Sequence, residues 1–334
     1  MNFQFLLPII LLLFSAIKRN KNFIFLSLLL FLSLISGLRV DTGTDFKIYL
    51  DTFQGKFPIS GMDPGFIFYS LLLFQTDPSG RLGIFLTAFL TIFFHLLFIR
   101  KLSPNLFISY LLFICLPIFF LSTLNLIRSH LSIGFGLLSI IFLLNNRILL
   151  SILAILFASI FHFGGLIFLI IFFYPLVNKK IIFLMTLSIL LIFISLMATN
   201  VESLISFYIP ALSYFSSHEV VNSPLLAGII LLLNLITLYL YYRDPQLDSK
   251  KKILILLNVV SIAAYSFWFV SDYSNLWLRI SNFSAIHLLI TIPLILEKIE
   301  PVHYRVNISK IMSVFLVILY LSYWIIDPSY GYKE

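Results

Sequence analysis

Charge is what this sequence has least of. Only 11% of its 334 residues are Asp, Glu, Lys or Arg, where an ordinary soluble domain carries about a quarter. With 60% of the chain hydrophobic, no water-soluble core could hide the apolar surface, which excludes a soluble globular protein. Cysteine is nearly absent. Cys115 stands alone within "LLFICLPIFF", so neither an intramolecular disulfide nor a cysteine-based zinc site is available, and packing is the default role for its thiol. There is no His/Glu pair at i, i+4 and no dense acidic cluster on a helix, so no metal site is expected. The acid-rich stretch near residues 41–63 is the one place for a loosely held divalent cation. Walker and GxGxxG patterns are missing, which sets aside nucleotide hydrolysis and any nucleotide cofactor; no cofactor is expected at all. The net charge of +8 comes from short clusters between apolar runs, so it does not imply nucleic acid.

What is present is a series of continuous apolar runs. Their residues do not alternate in polarity as barrel strands do, and a bilayer otherwise accepts only helices. The expected fold is all-α, a polytopic helical membrane protein with about 12 transmembrane helices in a single integral membrane domain over 1–334. Candidate spans lie near 3–17, 22–38, 81–99, 104–121, 126–145, 147–161, 163–177, 181–198, 224–242, 252–270, 279–296 and 310–326. "FHFGG" (Phe161 to Gly165) divides 147–177 into two short helices. The segment 64–76 is apolar but too short to span, and reads as re-entrant or interfacial. The N-terminal run lacks a basic start and its cations follow it, so it reads as a retained span rather than a signal peptide.

Lys and Arg favour cytoplasmic loops. Placing "KRNK" (Lys18 to Lys21) inside puts both termini outside. It leaves 15 Lys and Arg inside against 7 outside, with 4 acids inside and 10 outside. Two larger loops, 39–80 and 199–223, then face outward.

Three polar constellations fall on that outward side. The first is Arg39, Asp41, Thr42, Gly43, Thr44, Asp45 and Tyr49, followed by Asp63, Pro64 and Gly65. Hydroxyls and carboxylates of this kind bind sugar hydroxyls or accept their protons; the plain alternative is a solvated loop with a helix N-cap at Thr44 or Asp45. The second is "NLIRSHLSIG", in which Asn125, Arg128, Ser129, Ser132 and Gly136 share one face of a continuous helix. A guanidinium there matches phosphate, or else snorkels to the headgroups. The third is "SDYSNLWLRISNF", with Asp272, Asn275, Arg279 and Asn282 on one stripe, serving a ligand or forming an Asp272–Arg279 pair. His162 is expected at the same depth as Arg128 and Arg279. His95 and His130 read as structural.

Taken in order, "RVDTGTDFKIY" (Arg39 to Tyr49), "DPGF" (Asp63 to Phe66), "NLIRSHL" (Asn125 to Leu131), "SIFHFGG" (Ser159 to Gly165) and a late Arg279 resemble the EpsG family, Wzy-like bacterial polysaccharide polymerases of O-antigen, capsule and exopolysaccharide. Phe46 stands where the family usually has Tyr, Asp63 where Glu is common and Ser129 where Gln is common. The resemblance implies a membrane glycosyltransferase on the outer face of the bacterial cytoplasmic membrane. Its donor and acceptor would be undecaprenyl-pyrophosphate-linked glycans, with a chain-length regulator as a candidate partner. On that reading Arg128 and Arg279, with Arg39, hold the donor pyrophosphate. Asp45 or His162 takes the acceptor proton, and Thr44, Asp63, Asn125 and Asp272 help bind substrate. Tyr49, Tyr208 and Tyr214 are candidates to stack on sugar rings. A ligase or a lipid-linked oligosaccharide flippase of the same pathway is the alternative, though a flippase calls for cations through the bilayer depth, where this chain has almost none. The expectation is that Arg39, Asp45, Arg128, His162 and Arg279 share one pocket and that no metal takes part.

Overall fold

A computed structural model describes residues 21–40, 45–56, 62–116, 120–182, 184, 185, 189, 224–244, 246–268, 280–299 and 301–326. All regular structure among them is helical, with no strand. The helices are α1 (Lys21–Gly37), α2 (Phe46–Phe53), α3 (Pro64–Thr76), α4 (Arg81–Leu102), α5 (Leu106–Cys115), α6 (Phe120–Asn125), α7 (Ile127–Leu144) and α8 (Ile148–Phe161). After a 3-10 helix (Phe163–Leu176) come α9 (Pro224–Arg243), α10 (Ser249–Trp268), α11 (Ile280–Glu297) and α12 (Val302–Ile326).

Among the described residues, α4, α7 and α11 are long and apolar enough to cross a membrane, while α1, α3, α5 and α8 are shorter apolar helices. The candidate span 3–17 and most of 181–198 lie outside the described residues. The expected span 104–121 is not one helix. It is α5 and α6, separated after Cys115 where Leu116 turns extended. By contrast, a break does fall at His162, where α8 ends and the 3-10 helix begins. The 13 residues of α3 reach about 20 Å at 1.5 Å per residue, short of a hydrocarbon core of about 30 Å.

The chain divides into two compact units, Met1–Leu166 with Ile292–Glu334, and Ile167–Thr291. In the first, α7 packs against both α4 and α8, and α4 also carries α1. The outer face of α8 leaves Leu149, Leu153, Leu156, Phe157 and Ile160 exposed, an apolar stripe suited to lipid. Local signals set the ends. Asn105 accepts the Ile108 N–H and caps α5, as short polar side chains do at helix starts. Pro64 opens α3 at a first-turn position where its missing N–H costs nothing. In the second unit α9 lies along α10, which also packs on the 3-10 turn Ala285–His287 within α11.

Candidate active site

Three stretches far apart in the chain meet around the start of α7 and the end of α8. Asp63 stands just before α3 in extended backbone. The next glycine brings it close: a Cβ on Gly65 would lie 2.8 Å from the Ile160 carbonyl oxygen and collide with the Ile160 side chain. Any larger residue would push the start of α3 away from α8. Seated there, Asp63 accepts a hydrogen bond from Arg128 Nη1 at 3.0 Å through Oδ2, the two side chains being 20% and 17% exposed. Its Oδ1 accepts from the Phe163 backbone N–H at 3.3 Å. One carboxylate thereby ties α3, α7 and the turn after α8 together.

His162 closes α8, its backbone N–H donating to the Ala158 carbonyl. Its Nδ1 accepts the Gly164 N–H at 3.0 Å. A backbone amide can only donate, so Nδ1 holds a lone pair and the ring proton of the neutral imidazole sits on Nε2. The His162 ring therefore donates rather than accepts at Nε2. The partner hydroxyl on α7, Ser132, donates to the Ala158 carbonyl at 2.7 Å. It serves helix packing rather than an anion-binding stripe.

A second set of contacts gathers around Phe46. Arg39 is 5% exposed. Its Nη1 donates to the Ser36 carbonyl and its Nη2 to the Leu124 carbonyl, both at 2.9 Å, so the side chain staples the end of α1 to α6. Burial pushes its pKa down to about 10, with Tyr49 opposing the shift, and it stays cationic at neutral pH. Phe46 lies within 5.5 Å of the Arg39 guanidinium and also of the Arg81 guanidinium, a cation–π arrangement on each count. Arg81 donates to the Arg39 carbonyl at 3.0 Å. Phe46 needs no hydroxyl for this, since its ring face makes the contacts. Phe46, Tyr49, Phe53, Phe66, Ile84 and Ile127 form one buried cluster from α2, α3, α4 and α7, the apolar floor on which the charged groups are held.

Of the five residues expected to share a pocket, Arg128 is bonded to Asp63, which was expected to bind substrate, and His162 directly precedes the Phe163 amide that Asp63 accepts. Asp45 stands at the start of α2, half-buried, making no side-chain cap there. Two expectations need correction. Asn125 is not on the Arg128 helix: the backbone departs from helical geometry at Leu126, so the shared stripe is broken and Asn125 is buried at the end of α6. Tyr49 is buried, edge-on to Phe66, and cannot stack on a sugar. Asn282 is buried in α11, in the second unit. Thr44, Asp272, Asn275, Arg279, Tyr208 and Tyr214 lie outside the described residues. The residue missed from sequence is Arg81. A cation in the first turn of a helix opposes the helix dipole, and that misplacement was the readable sign.

Apolar helices carrying a charged cluster at their ends define an all-helical membrane protein with a polar site. The chain belongs to the EpsG family, whose model matches residues 22–333; this is a Wzy-like polysaccharide polymerase family. No curated protein and no solved structure matches it.

Proposed function

We propose that this protein joins undecaprenyl-pyrophosphate-linked oligosaccharide units into a surface polysaccharide, on the outer face of the bacterial cytoplasmic membrane. The observation that carries the reading is the partly exposed Asp63–Arg128 pair, held on a rigid apolar floor at the end of a membrane-length helix. A lipid pyrophosphate keeps its charge at the membrane surface, and a guanidinium at a helix end suits it. Arg128, with Arg279, holds the leaving pyrophosphate and stabilises charge as the glycosidic bond breaks. Asp63 positions Arg128. Arg39 positions the loop behind it, since both of its terminal nitrogens are spent on carbonyls. The His162 tautomer narrows the choice of base. To accept a proton at Nε2 the ring would have to move its own proton to Nδ1 and lose the Gly164 bond. Asp45 is accordingly assigned the acceptor hydroxyl's proton, and His162 a hydrogen bond to the substrate.

The test is the surface glycan on a gel. A deletion strain is expected to show one repeat unit in place of a ladder; loss of all glycan points instead to a flippase or ligase. Complementation with Arg128→Ala should restore the protein to the membrane but not the ladder, and a normal ladder overturns the assignment. The reading also gives charge neutralisation to arginine, with no metal ion. Polymerisation in isolated membranes should then persist in EDTA; loss that Mg²⁺ restores would refute this part.

A further inference from the structure

The second unit holds a polar pattern that the charged site does not use. On α9, Asn234, Thr237 and Tyr241 stand at i, i+3 and i+7. On α10, Asn258, Ser261 and Tyr265 repeat that spacing, and on α11 so do Ser284, His287 and Thr291. In each helix this spacing places all three on one face. On α11 the intervening 3-10 turn keeps residues three apart eclipsed. All nine side chains are at most 4% exposed. The stripes face one another: Asn258 Nδ2 donates to Thr237 Oγ1 between α10 and α9, and Tyr241 donates to Thr291 Oγ1 at 3.0 Å between α9 and α11. Seven residues of helix make the seam about 10 Å long, roughly a third of the hydrocarbon depth.

Interhelical hydrogen bonds are ordinary glue between helices in a membrane, but glue satisfies its own atoms, and here five are left over. Asn234 Oδ1, Asn258 Oδ1, Ser261 Oγ, Tyr265 Oη and His287 Nε2 are buried without a hydrogen-bond partner. Each amide nitrogen already donates once, Asn234 Nδ2 to the Ile230 carbonyl and Asn258 Nδ2 to Thr237. His287 Nδ1 meets the Ser284 carbonyl at 2.8 Å; a carbonyl only accepts, so that nitrogen carries the proton and neutral Nε2 is an acceptor. The unmet capacity is three acceptors and two hydroxyls. Phosphate and carboxylate, which only accept, would leave the three acceptors unmet. A cation would enter a seam whose nine positions hold no carboxylate, at the cost of an unpaired charge in the bilayer. What fits is a neutral O–H donor.

We propose that α9, α10 and α11 part along this seam to bind the hydroxyl groups of a neutral ligand, either water or the uncharged portion of a saccharide. The saccharide source rests on the polymerase reading above. The single cysteine makes a direct test possible. In full-length protein with Cys115→Ala, Ser261→Cys is treated in membrane vesicles with a water-soluble methanethiosulfonate reagent, and Leu257→Cys, fully buried among apolar neighbours on the same helix, serves as control. Ser261→Cys is expected to react at least tenfold faster than Leu257→Cys. Equal rates overturn the proposal, whether both are slow because the seam stays dry or both fast because the helices are merely loose. Slowing in vesicles that carry the strain's lipid-linked glycan, against vesicles blocked in its synthesis, identifies a saccharide; equal rates of Ser261→Cys in both identify water. Labelling does not depend on a glycan ladder, so the Arg128→Ala result and this one fail separately.

Discussion

The charged cluster of the first unit and the seam of the second handle polarity in opposite ways. At the charged cluster, Asp63 takes a guanidinium and a backbone amide, and Arg39 takes two carbonyls and a ring face. Along the seam the groups are neutral and under-supplied, with five unmatched atoms. A charge near a membrane is affordable only where its neighbours are assembled in advance. A neutral amide can wait without a partner at about 1–3 kcal/mol each. The charged cluster is a built site, and the seam is one that a ligand completes.

The contrast can be broken by changing charge in each region. The largest effect is expected at Arg128→Ala, which should cut chain extension by about two to three decades, or about 2.7–4 kcal/mol, while membrane levels hold. Next is the near-isosteric Asn258→Asp, which adds a carboxylate to the seam. It should lower the amount of folded protein, at a cost of about 2.5–3.5 kcal/mol, read by thermal aggregation of detergent-solubilised protein. If Asn258→Asp is as stable as wild type, the seam tolerates charge and the contrast collapses. Gly65→Ala should come third. Forcing a methyl group against the Ile160 carbonyl costs about 1–3 kcal/mol and parts Asp63 from Arg128. Its signature is a shortened ladder with near-normal protein level; an unchanged ladder would mean that the α3 seat does not matter.

Much of the helical layout was legible because apolar runs and their breakers are local signals. "FHFGG" marked the end of α8, and "DPG" marked the start of α3. The kink at Leu126 carried no Gly or Pro, so a continuous stripe through Asn125 looked sound and was wrong. The pairing of Asp63 with the turn at Phe163 spans a hundred residues, and nothing local announces it. Arg39 and Tyr49 looked like exposed ligands because a loop of Asp, Thr and Gly reads as solvated; their burial depends on α2, α3 and α4 closing around Phe46. The seam was overlooked for another reason. Asn, Ser, Thr and His scattered in apolar helices hardly alter composition, and their meaning appears only when three stripes are laid side by side.

Asp63 also decides which anions can compete for Arg128. Its carboxylate is tethered through the α3 seat, so it is present at an effective concentration in the millimolar range or above. Chloride or inorganic phosphate at ordinary abundance gains little by displacing it. A dianion delivered along the membrane by its own lipid tail arrives equally concentrated and more highly charged. Under the proposed function, the internal carboxylate holds the arginine in position between turnovers and yields it to membrane-borne cargo.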